Sequence, residues 1–251
     1  MAQKLLKQER QAEEPPAGTS FASRPFAWRR WLLLPLLAMG LLLIFPPETL
    51  DFAVSRLFWQ PGEGFPLRRD FWLQDVLHDG VRFVAVGFAV LLLLLLTGSF
   101  LHLRLSLRLK PWRRHLAYLV VAITAASALM PPLKAATRMH CPRELTEFDG
   151  RETYVPLTAP AVAHHKSGRC WPGGHAATAF SLLALFFALR DSSPRLAHRA
   201  LYAVLAAGAV LSAAQIMRGE HFLSHNVWTL LIDWTICLLL YRLLLYRPAR
   251  V

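Results

Sequence analysis

Apolar residues in this chain come in unbroken blocks, not at the spacing of a soluble helix face. Trp31 to Phe45 is one block, and Val81 to Leu101 is another, with six consecutive leucines from Leu91 to Leu96. A helix rises about 1.5 Å per residue, so about 20 apolar residues cross the roughly 30 Å of hydrocarbon in a bilayer. The blocks predict six spans, at 29–46, 81–102, 116–133, 174–190, 200–217 and 223–246. The expected fold is all-α: a polytopic six-transmembrane helical bundle with interfacial helices in its outer loops. Residues 1–27 are polar and carry Pro15, Pro16, Gly18 and Pro25, which predicts a disordered tail ahead of a membrane domain over 28–251. The first block is expected to stay uncleaved, because Pro46-Pro47 follows it where a signal peptide has small residues.

Composition adds weight to this pattern, with 55% hydrophobic residues and a mean hydropathy of +0.35. The formal net charge is +12. No zinc-finger spacing or basic stripe accompanies it, so nucleic acid is not an expected partner. Loops facing an anionic leaflet account for the charge better. Arg104, Arg108, Lys110, Arg113 and Arg114 follow the second span, and Arg190, Arg195 and Arg199 follow the fourth. Arg29, Arg30, Arg247 and Arg250 flank the first and last. With six spans all of these share one side, so both termini are expected in the cytoplasm. The second outer loop, 134–172, opposes that rule with Lys134, Arg138, Arg143, Arg151, Lys166 and Arg169. Pairing with Glu144, Glu147, Asp149 and Glu152 accounts for Arg151, Lys166 and Arg169. Lys134, just beyond the Pro131-Pro132 pair expected to end the third span, is read as functional.

Three polar patches carry candidate chemistry: Lys134 with Arg138 and Arg143; Pro172-Gly173-Gly174-His175; and the segment Arg218 to His225. Hairpin pairing of the spans brings all three to one membrane surface. Gly173 and Gly174 before a helix expose backbone N–H groups, and the helix start adds partial positive charge, which suits an anion. His175 falls in that first turn. His221 and His225 are four apart, so a helical start places them on one face. Lys134, Arg218 and one of Arg138 or Arg143 can face the equatorial oxygens of a phosphoryl group. His221 and His175 can serve as nucleophile and acid without metal or cofactor.

The patches resemble the signature of the type-2 phosphatidic acid phosphatase family, which includes bacterial acid phosphatases and vanadium haloperoxidases. That signature reads Lys, six residues, Arg-Pro; then Pro-Ser-Gly-His; then Ser-Arg, five residues, His, three residues, Asp. The resemblance covers 116–245, and the runs His140-Cys141-Pro142 and His221-Phe222-Leu223-Ser224 resemble a bacterial membrane branch. It implies Lys134 as a phosphate clamp, His175 as the general acid and His221 as the nucleophile that forms a phosphohistidine. It further implies a lipid phosphate or diphosphate substrate, met at the periplasmic face of a bacterial inner membrane. The chain departs from the signature at Cys141 (the first arginine), Gly173 (the serine), Ala214-Gln215 (the Ser-Arg pair) and His225 (the aspartate).

Three other readings stay open at this stage. The same phosphohistidine can pass phosphate to a second lipid instead of water. His175, His221 and His225 can ligate zinc or haem. A degenerate member can bind without turnover. Cys141 and Cys170 are either free or paired; a disulfide would close a loop of about 30 residues for about 3 kcal/mol. Cys237 reads as packing, and Asp233 as either a functional intramembrane acid or a partner of a neighbouring helix. Oligomeric state is not legible.

Overall fold

Every predicted apolar run becomes a helix, because a backbone in hydrocarbon must satisfy its own N–H and C=O groups. The computed structural model describes residues 23–101, 103–159 and 168–247; most of the predicted tail, Lys166 and Arg250 lie outside the described residues. Helix α1 is Trp28–Ile44 and α2 is Glu48–Arg56. A wide turn over Trp72–Gly80 leads into α3, Val81–Leu101, followed by α4, Leu103–Leu109. Helix α5 is Arg113–Thr137. Helix α6, Gly174–Phe180, continues through a 3-10 turn into α7, Ala184–Leu189. Helices α8, Pro194–Met217, and α9, Leu223–Leu244, complete the chain.

Four stretches are long and apolar enough to cross a bilayer: Trp72–Leu101, Ser106–Glu144, Pro194–Met217 and Leu223–Leu244. Helices α1 and α2 meet at 85° and make a fifth only if counted as one bent span, while Gly174–Leu189 is shorter. The expected six runs are therefore six helical segments, of which four or five have spanning length.

One expectation is corrected. Pro131 and Pro132 do not end the third span; α5 runs past them to Thr137. Each proline removes one N–H and frees the carbonyl four residues earlier. The final turn survives because Thr137 Oγ1 donates to the Leu133 carbonyl and the Arg138 N–H to the Lys134 carbonyl. Arg138, at φ 53°, then turns the chain out of the helix. Lys134 thus stands on rigid backbone.

Helix α9 packs on α1, α5 and α6, and α6 packs on α8. Gly208 permits the last contact, since a Cβ there would lie 2.0 Å from the Phe180 ring. The bundle core includes Tyr118, Leu183, Phe187 and Tyr241. Above it, a second cluster of Phe65, Leu145, Phe148 and Phe222 gathers both outer loops around the start of α9. Asp51 of α2 reaches the same place: its carboxylate accepts the Ser224 N–H at 2.8 Å and the Ser224 hydroxyl at 2.5 Å. It caps a helix whose own N-cap residue, Phe222, offers no side-chain acceptor. Asp233 is fully buried, and neither carboxylate oxygen has a hydrogen-bond partner among the described residues.

Candidate active site

The end of α5, the start of α6 and the loop between α8 and α9 converge on a cavity of about 180 Å³. Lys134, Arg143, Arg169, His175, Gln215 and His221 line it, with Cys141, Glu144 and Glu220. The α8–α9 loop is tight: Gly219 adopts φ 68°, and a Cβ there would meet the Phe65 ring at 2.4 Å. His221 follows two residues on and is 4% exposed. Burial holds its imidazole well below the usual histidine range, and the charges of Lys134, His225 and His175 push the same way. A neutral ring with a lone pair is what a nucleophile needs.

The predicted residues do not all reach this cavity. Lys134, His175, His221 and Arg143 line it. Arg143 ion-pairs with Glu220 at 2.9 Å, and its backbone N–H donates to the Gly219 carbonyl. Gly174 approaches Lys134, since a Cβ there would lie 3.3 Å from Nζ. The Gly173 N–H donates to the His225 carbonyl at 3.3 Å, and a Cβ on Gly173 would meet Asn226 Oδ1 at 2.5 Å. That amide therefore ties α6 to α9 instead of presenting itself to an anion.

Arg138 is exposed and does not line the cavity. Arg218 turns toward the first outer loop, donating from Nε to the Arg68 carbonyl at 3.0 Å and reaching Gln74 Oε1 at 3.5 Å. It does not line the cavity either. His225 stands behind His221, with ring centroids 6.0 Å apart, and packs edge-on against Phe222. Its Nδ1 has no hydrogen-bond partner among the described residues.

Five lining residues escaped the sequence reading: Gln215, Arg169, Glu220, Glu144 and Cys141. Gln215 had a signal, because it occupies the arginine position of the signature's Ser-Arg pair; it is 1% exposed, and its Nε2 is unpartnered among the described residues. Arg169 was absorbed into surface pairing, yet it lines the cavity and the groove beside it. Cys141 and Cys170 form a disulfide, with Cα atoms 5.1 Å apart. It joins the segment after α5 to the one before α6. The ring nitrogens of His221 and His225 and the Cys170 sulfur lie within 4.8 Å of one another. With that sulfur in the disulfide, this donor set offers a metal two imidazoles and no thiolate.

A second, apolar groove of about 770 Å³ runs between α3, α5 and α6, and it shares Lys134, Arg169 and His175 with the cavity. Ala85, Ala89, Ile123 and Ser127 are among its walls.

A comparison with curated protein sequences finds no match. Among solved structures, the chain matches the first transmembrane PAP2 type phosphatidylglycerolphosphate phosphatase from Bacillus subtilis. Identity is 18% and the TM-score 0.48, over 88% of this chain and 94% of that one. The model of the PAP2 superfamily matches residues 115–249, the stretch that holds Lys134, His175 and His221, and the chain belongs to that superfamily.

Proposed function

We propose that this protein is a membrane lipid phosphatase that removes phosphate from a lipid phosphate or diphosphate through a phosphohistidine on His221. The observation that carries this reading is the shared wall. Lys134, Arg169 and His175 border both a polar cavity of phosphate size and an apolar groove. A lipid phosphate has the same two-part shape: its headgroup suits the cavity and its chain suits the groove. The charge asymmetry of the loops supports a periplasmic site with both termini in the cytoplasm of a bacterial inner membrane.

In this mechanism Lys134, Arg143 and Arg169 face the phosphoryl oxygens and stabilise the charge spread over them in the transition state. Gln215 Nε2 adds a neutral donor where the family signature has arginine. His221 attacks phosphorus with a nitrogen lone pair, and His175 protonates the departing lipid oxygen. Water, deprotonated by His175, then breaks the N–P bond, releasing phosphate and restoring His221. Substrate phosphate displaces Glu220 from Arg143, because a dianion competes with one carboxylate.

The test uses purified protein in detergent with phosphatidate and a prenyl diphosphate. His221→Ala and His175→Ala each lose phosphate release by at least about a thousandfold, as expected for covalent and proton-transfer groups. Wild-type rates in both variants would reject the reading.

A further inference from the structure

The family signature orients its nucleophilic histidine with an aspartate four residues on, and this chain has His225 there. Glu220, the nearest acid in sequence, directs its carboxylate to Arg143. Nδ1 of His221 meets the Cys170 sulfur at 3.4 Å, and the ring also has a hydrogen bond to the Cys170 backbone. That sulfur is half of the Cys141–Cys170 disulfide. A disulfide sulfur has no proton, so across this contact Nδ1 is the donor. An imidazole with its hydrogen on Nδ1 keeps its lone pair on Nε2.

We propose that the Cys141–Cys170 disulfide is a positioning element for His221: it holds the ring in the tautomer whose Nε2 can attack phosphorus. The proposal rests on the phosphatase reading above for its consequence in activity. Its structural content, the tautomer, is read separately. Cys170 acts through His221 and touches no substrate. It is completely buried and held by a hydrogen bond from its N–H to the Met139 carbonyl at 2.9 Å, so the sulfur has a fixed place.

Opening the bond changes the chemistry of that contact. Cys141 is 7% exposed and lines the cavity, which is the side from which a dithiol reductant approaches the bond. The reductant's thiolate bonds to the Cys141 sulfur, the S–S bond breaks, and the Cys170 sulfur leaves as a thiolate and takes up a proton. The reductant's second thiol then displaces Cys141, closing its own disulfide. Two electrons and two protons reach the protein. The Cys170 thiol now carries a proton, with the Glu220 carbonyl as its nearer neighbour and Nδ1 of His221 at 3.4 Å. The thiol can now both donate to and accept from Nδ1, so the contact no longer fixes the ring hydrogen there, and the Nε2-protonated form, which lacks the lone pair the reaction needs, becomes populated.

The experiment combines nitrogen-15 NMR of histidine-labelled protein with turnover of p-nitrophenyl phosphate and of phosphatidate. His221 signals are assigned by their loss in His221→Asn. In oxidised protein, Nδ1 is expected at a protonated shift and Nε2 at an unprotonated one; dithiol treatment weakens or inverts that pattern. Cys141→Ala, which leaves a lone thiol at Cys170, should lower kcat on the order of a hundredfold with little change in KM, as a wrong tautomer does. The double variant Cys141→Ala/Cys170→Ala has no thiol to donate, so its kcat should exceed that of the single variant and ignore dithiol. A purely structural disulfide predicts equal kcat in the two variants, and that result overturns the proposal. An unprotonated Nδ1 in the oxidised protein overturns it as well. Should Cys141→Ala not fold, dithiol titration of folded wild type with the same NMR readout decides. If oxidised wild type hydrolyses neither phosphate, the phosphatase reading falls, while the nitrogen shifts still judge the tautomer.

Discussion

At the scale of single residues, the proposed mechanism depends on a withheld proton. His221 is buried beside Lys134, His175 and His225, and each of these neighbours opposes a positive charge on its ring. His221 therefore stays neutral as pH falls through about 6.5, where a solvated histidine would titrate. The acid limb of kcat/KM is expected below that value. Lys134→Met removes one opposing cation, so protonation of His221 becomes easier and the acid limb moves to higher pH, in addition to the loss of phosphate binding. A pH–rate profile of the two proteins checks the sign; an unmoved limb contradicts it. Gln215→Ala tests the neutral donor: one lost hydrogen bond to a charged oxygen costs about 1.5–3 kcal/mol in kcat/KM. Lys134, His175 and His221 were legible in sequence because their spacing follows a signature. Arg218 was misleading for a geometric reason. It lies one turn closer to His221 than the signature arginine, and that places its guanidinium on the Arg68 carbonyl, outside the cavity.

Elements do the positioning. Helix α9 carries His225 in its first turn and follows directly on His221, and its N-terminus is capped from 173 residues away by Asp51. Asp51→Ala orphans a buried N–H and a buried hydroxyl, at a cost of about 1–3 kcal/mol. A lower melting temperature and reduced kcat/KM are expected together, because the same contact steadies the loop that holds His221. Wild-type turnover in Asp51→Ala would separate the cap from the site. Gly208→Ala forces a methyl into the Phe180 ring and should destabilise by about 1–3 kcal/mol through overpacking between α6 and α8. Thermal melts in detergent measure it. The small residues of α6 and α8, Gly208 among them, signal close helix packing in the sequence; the cap was not legible, since no local pattern around Asp51 points to Ser224, and Asp51 lies outside the stretch that resembles the family. The persistence of α5 beyond Pro131-Pro132 was misread, because proline rules describe lost bonds and not the ones at Thr137 and Arg138 that keep the last turn.

At the scale of the whole molecule, the apolar blocks were legible because hydrocarbon demands length and composition, two properties visible in any window of sequence. The juxtaposition of groove and cavity was not, since it depends on how α3 lies against α5 and α6. It carries a prediction. Ala89→Trp fills the groove away from the phosphate cavity, so turnover of phosphatidate should fall several-fold relative to that of p-nitrophenyl phosphate. An equal fall for both substrates would remove the groove from substrate binding. The most direct measurement of the central claim is a phosphoenzyme trap. Purified His175→Ala is mixed with phosphorus-32-labelled p-nitrophenyl phosphate, whose leaving group needs little acid, and quenched in alkali, where phosphohistidine survives. The account predicts near-stoichiometric label on the peptide that contains His221, and none in His175→Ala/His221→Ala. Label on another residue, or label that persists without His221, would contradict it.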